Sequence, residues 1–314
     1  KGGTGASSAG AARTALGLAI GTDVLAPNGS AANLTNLPAG GNVVDFVASG
    51  TLPNGSKVVL KANGQVEVVA ITTAAVAANI PAGTAVAVQN TSTFIKKPDI
   101  SFDPNTSGKF VIGYEDVGDG EGYVVVGTVS GTSISMGSEY TFESAIVQYL
   151  SMSFDPNTSG KFVVAFRDSG NNGKGKTVIG TISGTSISWG SEAIFFNVAT
   201  TYIKVAYDKN TANKFLVTYS SSSAYYARVG SVSNTSVTFG TETQVSAFAG
   251  NANLDMQCNP NVTGQFVLIM LSSQQGIVYS LTISGTNVSA SAATNWVYDP
   301  SNMRIAFDPS TSGA

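Results

Sequence analysis

The sequence predicts an all-β protein, a propeller-like array of four-stranded antiparallel blades of about 50 residues each. Three observations carry this. First, SFDPNTSGKF stands at 101–110 and again, letter for letter, at 153–162, with looser copies AYDKNTANKF at 206, QCNPNVTGQF at 257 and AFDPSTSGA at 306. Their anchors Asp103, Asp155, Asp208, Asn259 and Asp308 are 52, 53, 51 and 49 residues apart, a period of solenoids and propellers. Second, another block recurs inside each unit: VGTVSGTSIS at 126, IGTISGTSIS at 179, VGSVSNTSVT at 229 and SLTISGTNVS at 280. Third, 43% of residues are hydrophobic, with many Val, Ile, Phe and Tyr, which fits packed strands rather than disorder.

Along the chain, residues 1–40 form a Gly/Ala-rich segment with a short helix-compatible piece, SAGAARTALGL. Residues 41–93 read as a small β-module: NVVDFVASG, an LPNG turn, SKVVLKANG and QVEVVA. The stretch 83–94, GTAVAVQNTSTF, stands where an outer strand would precede the first repeat and is expected to close a ring with a C-terminal unit. Residues 94–314 hold the repeats, with units starting near 100, 152, 205, 256 and 305. In the second unit the strands are YLSMSF, KFVVAFRD, KTVIGTISG and SISWGSEAIF. The DPNTSG turn reverses the chain because Asp bonds its own backbone two residues on, Pro presets φ and Gly accepts a positive φ. The start at KGGTG without Met and the stop inside FDPSTSGA read as ends cut from something longer, or processed.

Charged residues are 11% of the chain against ~25% in an average domain. The net charge of −3 offers no basic footprint, so nucleic acid is not an expected partner. No apolar run approaches the ~20 residues of a membrane helix, so no membrane insertion is expected. Histidine is absent and Cys258 is the one cysteine, which removes the usual general base, the middle member of serine and cysteine triads, intrachain disulfides and thiolate metal clusters. Cys258 reads as a small buried apolar residue. No cofactor, no catalytic residue and no metal site is expected.

Asp103, Asp155 and Asp208 read as turn caps, one carboxylate per turn being too few for calcium. EDVGDGEG, with Asp116, Asp119 and Glu121, is richer in oxygen ligands but lacks the EF-hand order, a weak calcium candidate. Phe110, Phe162, Phe215 and Phe266, and likewise Met136, Trp189 and Phe239, read as packing between blades. In a meander, the loop between second and third strands shares one edge with the connections between units, and the two fixed turns lie opposite. That loop varies (VGDGEG, SGNNGKGK, SSSSA, SSQQG), and varied loops on a rigid repeat are where binding sits. The expected contacts for a polar ligand such as a glycan are Tyr114, Asp116, Asp119, Tyr123, Arg167, Asp168, Asn171, Asn172, Lys174, Tyr219, Tyr225 and Tyr226.

KGGTGASSAGAARTALGLAIGTDVLAP resembles a segment that recurs in tail fibres and related virion proteins of tailed bacteriophages, usually close to GGTGATTAAGARTALGL. The match covers the first 27 residues, and Gly2, Gly3, Thr4, Gly5, Ala12, Arg13, Leu16, Gly17 and Leu18 fall in place; Ser7, Ser8 and Ala9 depart mildly. VVDFVASGTLPNGSKVVLKANGQVEVV and the FDPNTSGKF and GTVSGTSIS repeats resemble modules of predicted marine phage fibres. The resemblance implies a virion appendage made in the host cytoplasm, commonly a homotrimer. It would attach to other virion proteins through its N-terminal part, with Gly2, Gly3, Thr4, Gly5, Arg13, Leu16 and Leu18 as attachment or oligomer contacts, and meet a host glycan or protein through its distal repeats. A purely architectural virion role is the second reading and a propeller-type glycan hydrolase the third. Against the third, sialidase turns read S-x-D-x-G-x-T-W, which DPNTSGKF does not match. The required three arginines would not converge from Arg13, Arg167, Arg228 and Arg304.

Overall fold

A computed structural model describes residues 94–222, 224–247, 254–272, 275–298 and 303–308, together with Ser8, Ala11, 47–48, 58–60, 65–68 and 83–88. The chain divides into two compact units, 1–80 and 81–314. In the first, β1 (Val47–Ala48), β2 (Val58–Leu60) and β3 (Gln65–Val68) form one sheet, with β3 parallel to β1 and antiparallel to β2.

The second unit is a series of antiparallel sheets, one per sequence repeat. Sheet one is the meander β4 (Ile95–Phe102), β5 (Lys109–Asp116), β6 (Gly122–Ser130) and β7 (Ser133–Glu143). Sheet two holds β8 (Val147–Phe154), β9 (Lys161–Asp168), β10 (Lys174–Ser183), β11 (Ser186–Trp189) and β12 (Ala193–Ala199). Sheet three holds β13 (Thr201–Tyr207), β14 (Lys214–Ser221), β15 (Ala224–Ser233), β16 (Ser236–Phe239) and β17 (Thr243–Ser246). Sheet four holds β18 (Leu254–Cys258), β19 (Gln265–Ser272), β20 (Gln275–Ser284), β21 (Asn287–Ala290) and β22 (Thr294–Tyr298). In the last three the outer strand is broken: β11 and β12 both pair with β10, β16 and β17 with β15, and β21 and β22 with β20. The break falls at Gly-Ser-Glu or its counterpart, where the sequence had read one unbroken strand. Residues 83–88 lie outside any ladder, so they do not supply the expected outer strand; 89–93 fall outside the described residues.

Both faces of the inner sheets are covered. Three apolar cores fill the gaps between sheets one and two, two and three, and three and four. Alternate residues of β9 therefore serve two cores: Phe162, Val164 and Phe166 face sheet one, and Val163 and Ala165 face sheet three. The four phenylalanines that open the second strands, Phe110, Phe162, Phe215 and Phe266, are all buried. Three lie across a glycine of the third strand, Gly127, Gly180 or Gly230, whose other neighbour is Met136, Trp189 or Phe239. A Cβ there would stand 2.1–2.3 Å from the phenylalanine ring. In sheet four the row becomes Phe266, Leu281, Ala290: the third strand gains bulk where the fourth loses it.

The repeated turn also fastens units together. Asp103, Asp155 and Asp208 each accept a hydrogen bond at Oδ1 from the backbone N–H two residues on, at 2.8, 2.9 and 3.0 Å, as the turn chemistry requires. The second oxygens of Asp103 and Asp208 accept from the N–H of Gly160 and Gly264 in the next unit, at 2.9 and 3.0 Å. Lys109 and Lys214 reach on to the carbonyls of Gly184 and Gly285 in the next unit's other fixed turn. The letters that repeat are thus the letters that dock one blade on the next. Cys258 is buried, and burial pushes its thiol up to about 11, which leaves it inert at neutral pH.

One junction is incomplete. Asp155 Oδ2 and the Tyr207 hydroxyl are buried without a hydrogen-bond partner among the described residues, and Tyr207 stands where the first two units place Phe102 and Phe154. Burial, and then the Asp155 charge, raise the Tyr207 pKa. Tyr207→Phe removes an unsatisfied hydroxyl and is expected to stabilise the fold by about 1 kcal/mol, read as a higher midpoint in urea.

Candidate functional site

Each first strand begins with the same irregularity. Lys97 and Pro98 together oppose one residue of β5, Tyr149 and Leu150 one residue of β9, and Tyr202 and Ile203 one residue of β14. These are β-bulges, and the first residue of each is left-handed: φ is 45° at Lys97, 54° at Tyr149 and 50° at Tyr202. A non-glycine residue held there costs about 1–3 kcal/mol, and such strain clusters at ligand sites. All three stand six residues before the turn aspartate, on the edge that carries the inter-unit connections.

The bulges bring their side chains to one place. The Tyr149 and Tyr202 rings meet edge to face at 5.2 Å, and Lys97 Nζ sits 4.2 Å from the centre of the Tyr149 ring. Both tyrosines are half-buried, packed against the cores between sheets two and three and between three and four. They border an open cleft of about 570 Å³ with Lys97, Lys204, Arg304 and Asp99. Among the described residues three cations face one carboxylate there, in a chain whose net charge is −3.

Beneath the bulges, residues four before the turn aspartate bond to the following unit. Asp99 Oδ2 accepts from the N–H of Met152 at 2.7 Å, Ser151 Oγ from Val205 at 3.3 Å, and Asp255 Oδ2 from Ile305 at 3.0 Å. The fourth residue of this row, Lys204, is a donor only and pairs with Asp255 Oδ1 at 3.6 Å. Together with Ser101, Ser153 and Gln257 this row lines a polar cavity of about 170 Å³, so the first strands of all four units face one space. Burial raises the pKa of Asp99 against the pull of Lys204 and two backbone N–H groups.

The residues singled out from sequence divide. Tyr114, Tyr219 and Tyr225 are fully buried and have no surface to offer a ligand, a correction to their reading as contacts. Tyr219 and Tyr225 lie in an inner sheet covered on both faces, where period-two alternation leaves no exposed side, whereas Tyr114 of sheet one is buried with its ring stacked on Tyr123 and its hydroxyl on Glu139. Asp116 and Asp168 are buried too; Asp116 accepts from the N–H of Gly118, and Asp168 pairs with Lys176 at 2.6 Å. Arg167, Lys174 and Tyr226 are half-buried, with Tyr226 in a cluster of three mutually touching rings with Tyr219 and Phe196. Asp119, Asn171 and Asn172 are exposed, and half-buried Tyr123 donates its hydroxyl to Asp119 and Glu121. Asp116, Asp119 and Glu121 do not converge on a metal site, and no group of three or more acidic, Cys or His side chains among the described residues could hold one. Gly2, Gly3, Thr4, Gly5, Arg13, Leu16 and Leu18 lie outside the described residues.

The loop after β9 is ordered by its own chemistry. Asn172 and Gly173 both have positive φ, and Lys174 N–H donates to Asn171 O at 3.3 Å, closing a tight turn. Lys174–Lys176 belong to β10, so the variable loop is shorter than its sequence boundary implied. The cleft is not legible in the sequence because it stands at bulges that a period-two pattern does not display, upstream of the repeated decamer. The available signal was two tyrosines at the same offset upstream of it, Tyr149 and Tyr202.

No protein-family model matches the chain, and no curated protein matches it. Among the described residues no helix is long and apolar enough to cross a membrane. Among solved structures, the crystal structure of Sqt1 from Chaetomium thermophilum is similar at 12% identity and a TM-score of 0.40. The match spans 64% of this chain and 61% of that one, and a likeness at that level carries no argument about fold or function.

Proposed function

We propose that this chain is a module of a tailed-phage virion appendage, a trimeric fibre whose repeats form a β-propeller and bind a bacterial surface without cleaving it. The resemblance of residues 1–27 to phage fibre segments supports the setting. The observation that carries binding is the cleft of Lys97, Tyr149 and Tyr202, where three units hold a side chain in a costly left-handed backbone at one shared opening. Neighbouring sheets touch through their first strands, and those of four units line one cavity, which supports a reading of blades set around an axis.

Fluorescently labelled protein is expected to bind saturably to cells of a panel of marine bacteria, and to leave the length of their purified surface polysaccharides unchanged. Absence of binding across the panel would favour the purely architectural role, and shortened polysaccharide would favour the hydrolase.

A further inference from the structure

We propose that the cleft at the mouth of the first strands binds an acidic saccharide, with the Tyr149 and Tyr202 rings against the sugar and Lys97, Lys204 and Arg304 around its carboxylate. This rests on the surface-binding reading above and names its site and ligand class. Two features of the cleft lead to it together.

Aromatic rings at a half-open site offer flat apolar area with little side-chain entropy to lose, which suits the C–H face of a pyranose. The Tyr149 and Tyr202 rings are fixed in this role twice over, by packing on two cores and by their bulges. A neutral sugar would need polar groups around such rings, but the rim carries Lys97, Lys204 and Arg304. The one carboxylate of the cleft among the described residues, Asp99, is already engaged by the N–H groups of Ile100 and Met152. The cations are less committed. Lys204 meets Asp255 only at 3.6 Å, Lys97 is exposed and rests on the Tyr149 ring, and Arg304 is exposed and donates to the neighbouring Met303 carbonyl at 2.8 Å. The excess of cation over anion therefore selects a ligand that brings its own negative charge.

The test is titration of the intact chain with oligogalacturonate and with oligosialic acid, each beside its carboxyl-reduced counterpart, and with inorganic phosphate, followed by calorimetry and tyrosine fluorescence. At least one acidic oligosaccharide is expected to bind, its reduced form at least tenfold more weakly, and phosphate more weakly than the acidic sugar. Tyr202→Ala should lose at least tenfold in affinity, Tyr202→Phe should stay within about twofold of wild type, and Lys97→Gln should weaken binding at least threefold. Tyr202→Gly, which suits the left-handed backbone, is the second variant should the alanine form fail to fold. The proposal is overturned if neither acid binds, if reduction leaves affinity unchanged, if phosphate binds as tightly, or if Tyr202→Ala and Tyr202→Gly bind like wild type. Cell binding that survives Tyr202→Ala would leave the surface-binding reading standing without this site. Acidic sugar binding without any cell binding would do the reverse.

Discussion

Lys176→Ala is expected to destabilise the repeat unit by about 3–5 kcal/mol, because it strands buried carboxylates without their counter-charge. Lys176 Nζ lies 2.6 Å from Asp168, 2.8 Å from Glu192 and 3.0 Å from Glu143, and its side chain is 10% exposed. Burial lowers the lysine pKa, but the three carboxylates outweigh it and hold the group charged. The same position shows how the repeats solve one problem in different ways. The Gly-Ser-Glu or Gly-Thr-Glu glutamate of sheets one and three accepts from a buried tyrosine, Tyr114 to Glu139 and Tyr219 to Glu242. Each of those tyrosines stacks on a third-strand tyrosine, Tyr123 or Tyr226. In sheet two the buried tyrosine is Phe166, which has no hydroxyl, and the third-strand residue that meets Glu192 is Lys176. In sheet four the corresponding residues are Met270, Ile277 and Ala293, and no polar group remains.

This reading predicts a rescue. Phe166→Tyr with Lys176→Tyr and Asp168→Ser installs the set of sheet three, Tyr219, Tyr226 and Ser221, and should recover most of the loss. Failure to recover beyond the Lys176→Ala level would show that the units are not interchangeable here. Urea midpoints measure both. The pH dependence has a sign as well. Glu143 is held below the ordinary glutamate value of 4.5 by Lys176, the N–H of Ala145 and Glu192, which outweigh burial. Its stabilisation is present above that value and is lost as pH falls through the lower folded one. Glu192 moves the other way: burial and Glu143 raise it, so it takes up a proton first and relieves the cluster. The difference between wild type and Lys176→Met is therefore expected to narrow below about pH 4.5.

The second large effect is at Gly230. A Cβ there would lie 2.1 Å from the Phe215 ring, inside a packed gap, so Gly230→Ala should cost about 1–3 kcal/mol. Gly230→Leu alone should cost more, whereas Gly230→Leu with Phe239→Ala imports the Leu281 and Ala290 pair of sheet four and should restore part of it. A double variant no more stable than Gly230→Leu would mean that the row is not read as a unit. Thermal unfolding distinguishes these outcomes.

Much of this architecture was legible in the sequence, because the repeat exposes its own rules. The turn aspartates cap as expected, and the phenylalanines are core. The second and third strands fall where alternation and punctuation placed them. What stayed hidden has physical causes. A bulge is one extra residue, which a period-two pattern does not show, so nothing in the letters marks Tyr149 and Tyr202 as left-handed. Burial turned Tyr114, Tyr219 and Tyr225 from expected contacts into packing, the last two because sheet three is covered on both faces. The second oxygens of Asp103 and Asp208 reach 50-odd residues ahead, to Gly160 and to Gly264, a partnership no local motif displays.

On the proposal above, the edge of the fixed turns fastens the units and the opposite edge is expected to meet the ligand. Hydrogen exchange of the intact chain, with and without a bacterial surface polysaccharide it binds, tests this most directly. Protection is expected at the bulged strand starts, residues 95–100, 147–151 and 201–205, with the DPNTSG and SGTS turns unchanged. Protection confined to those turns, with the bulges exchanging as before, would contradict it.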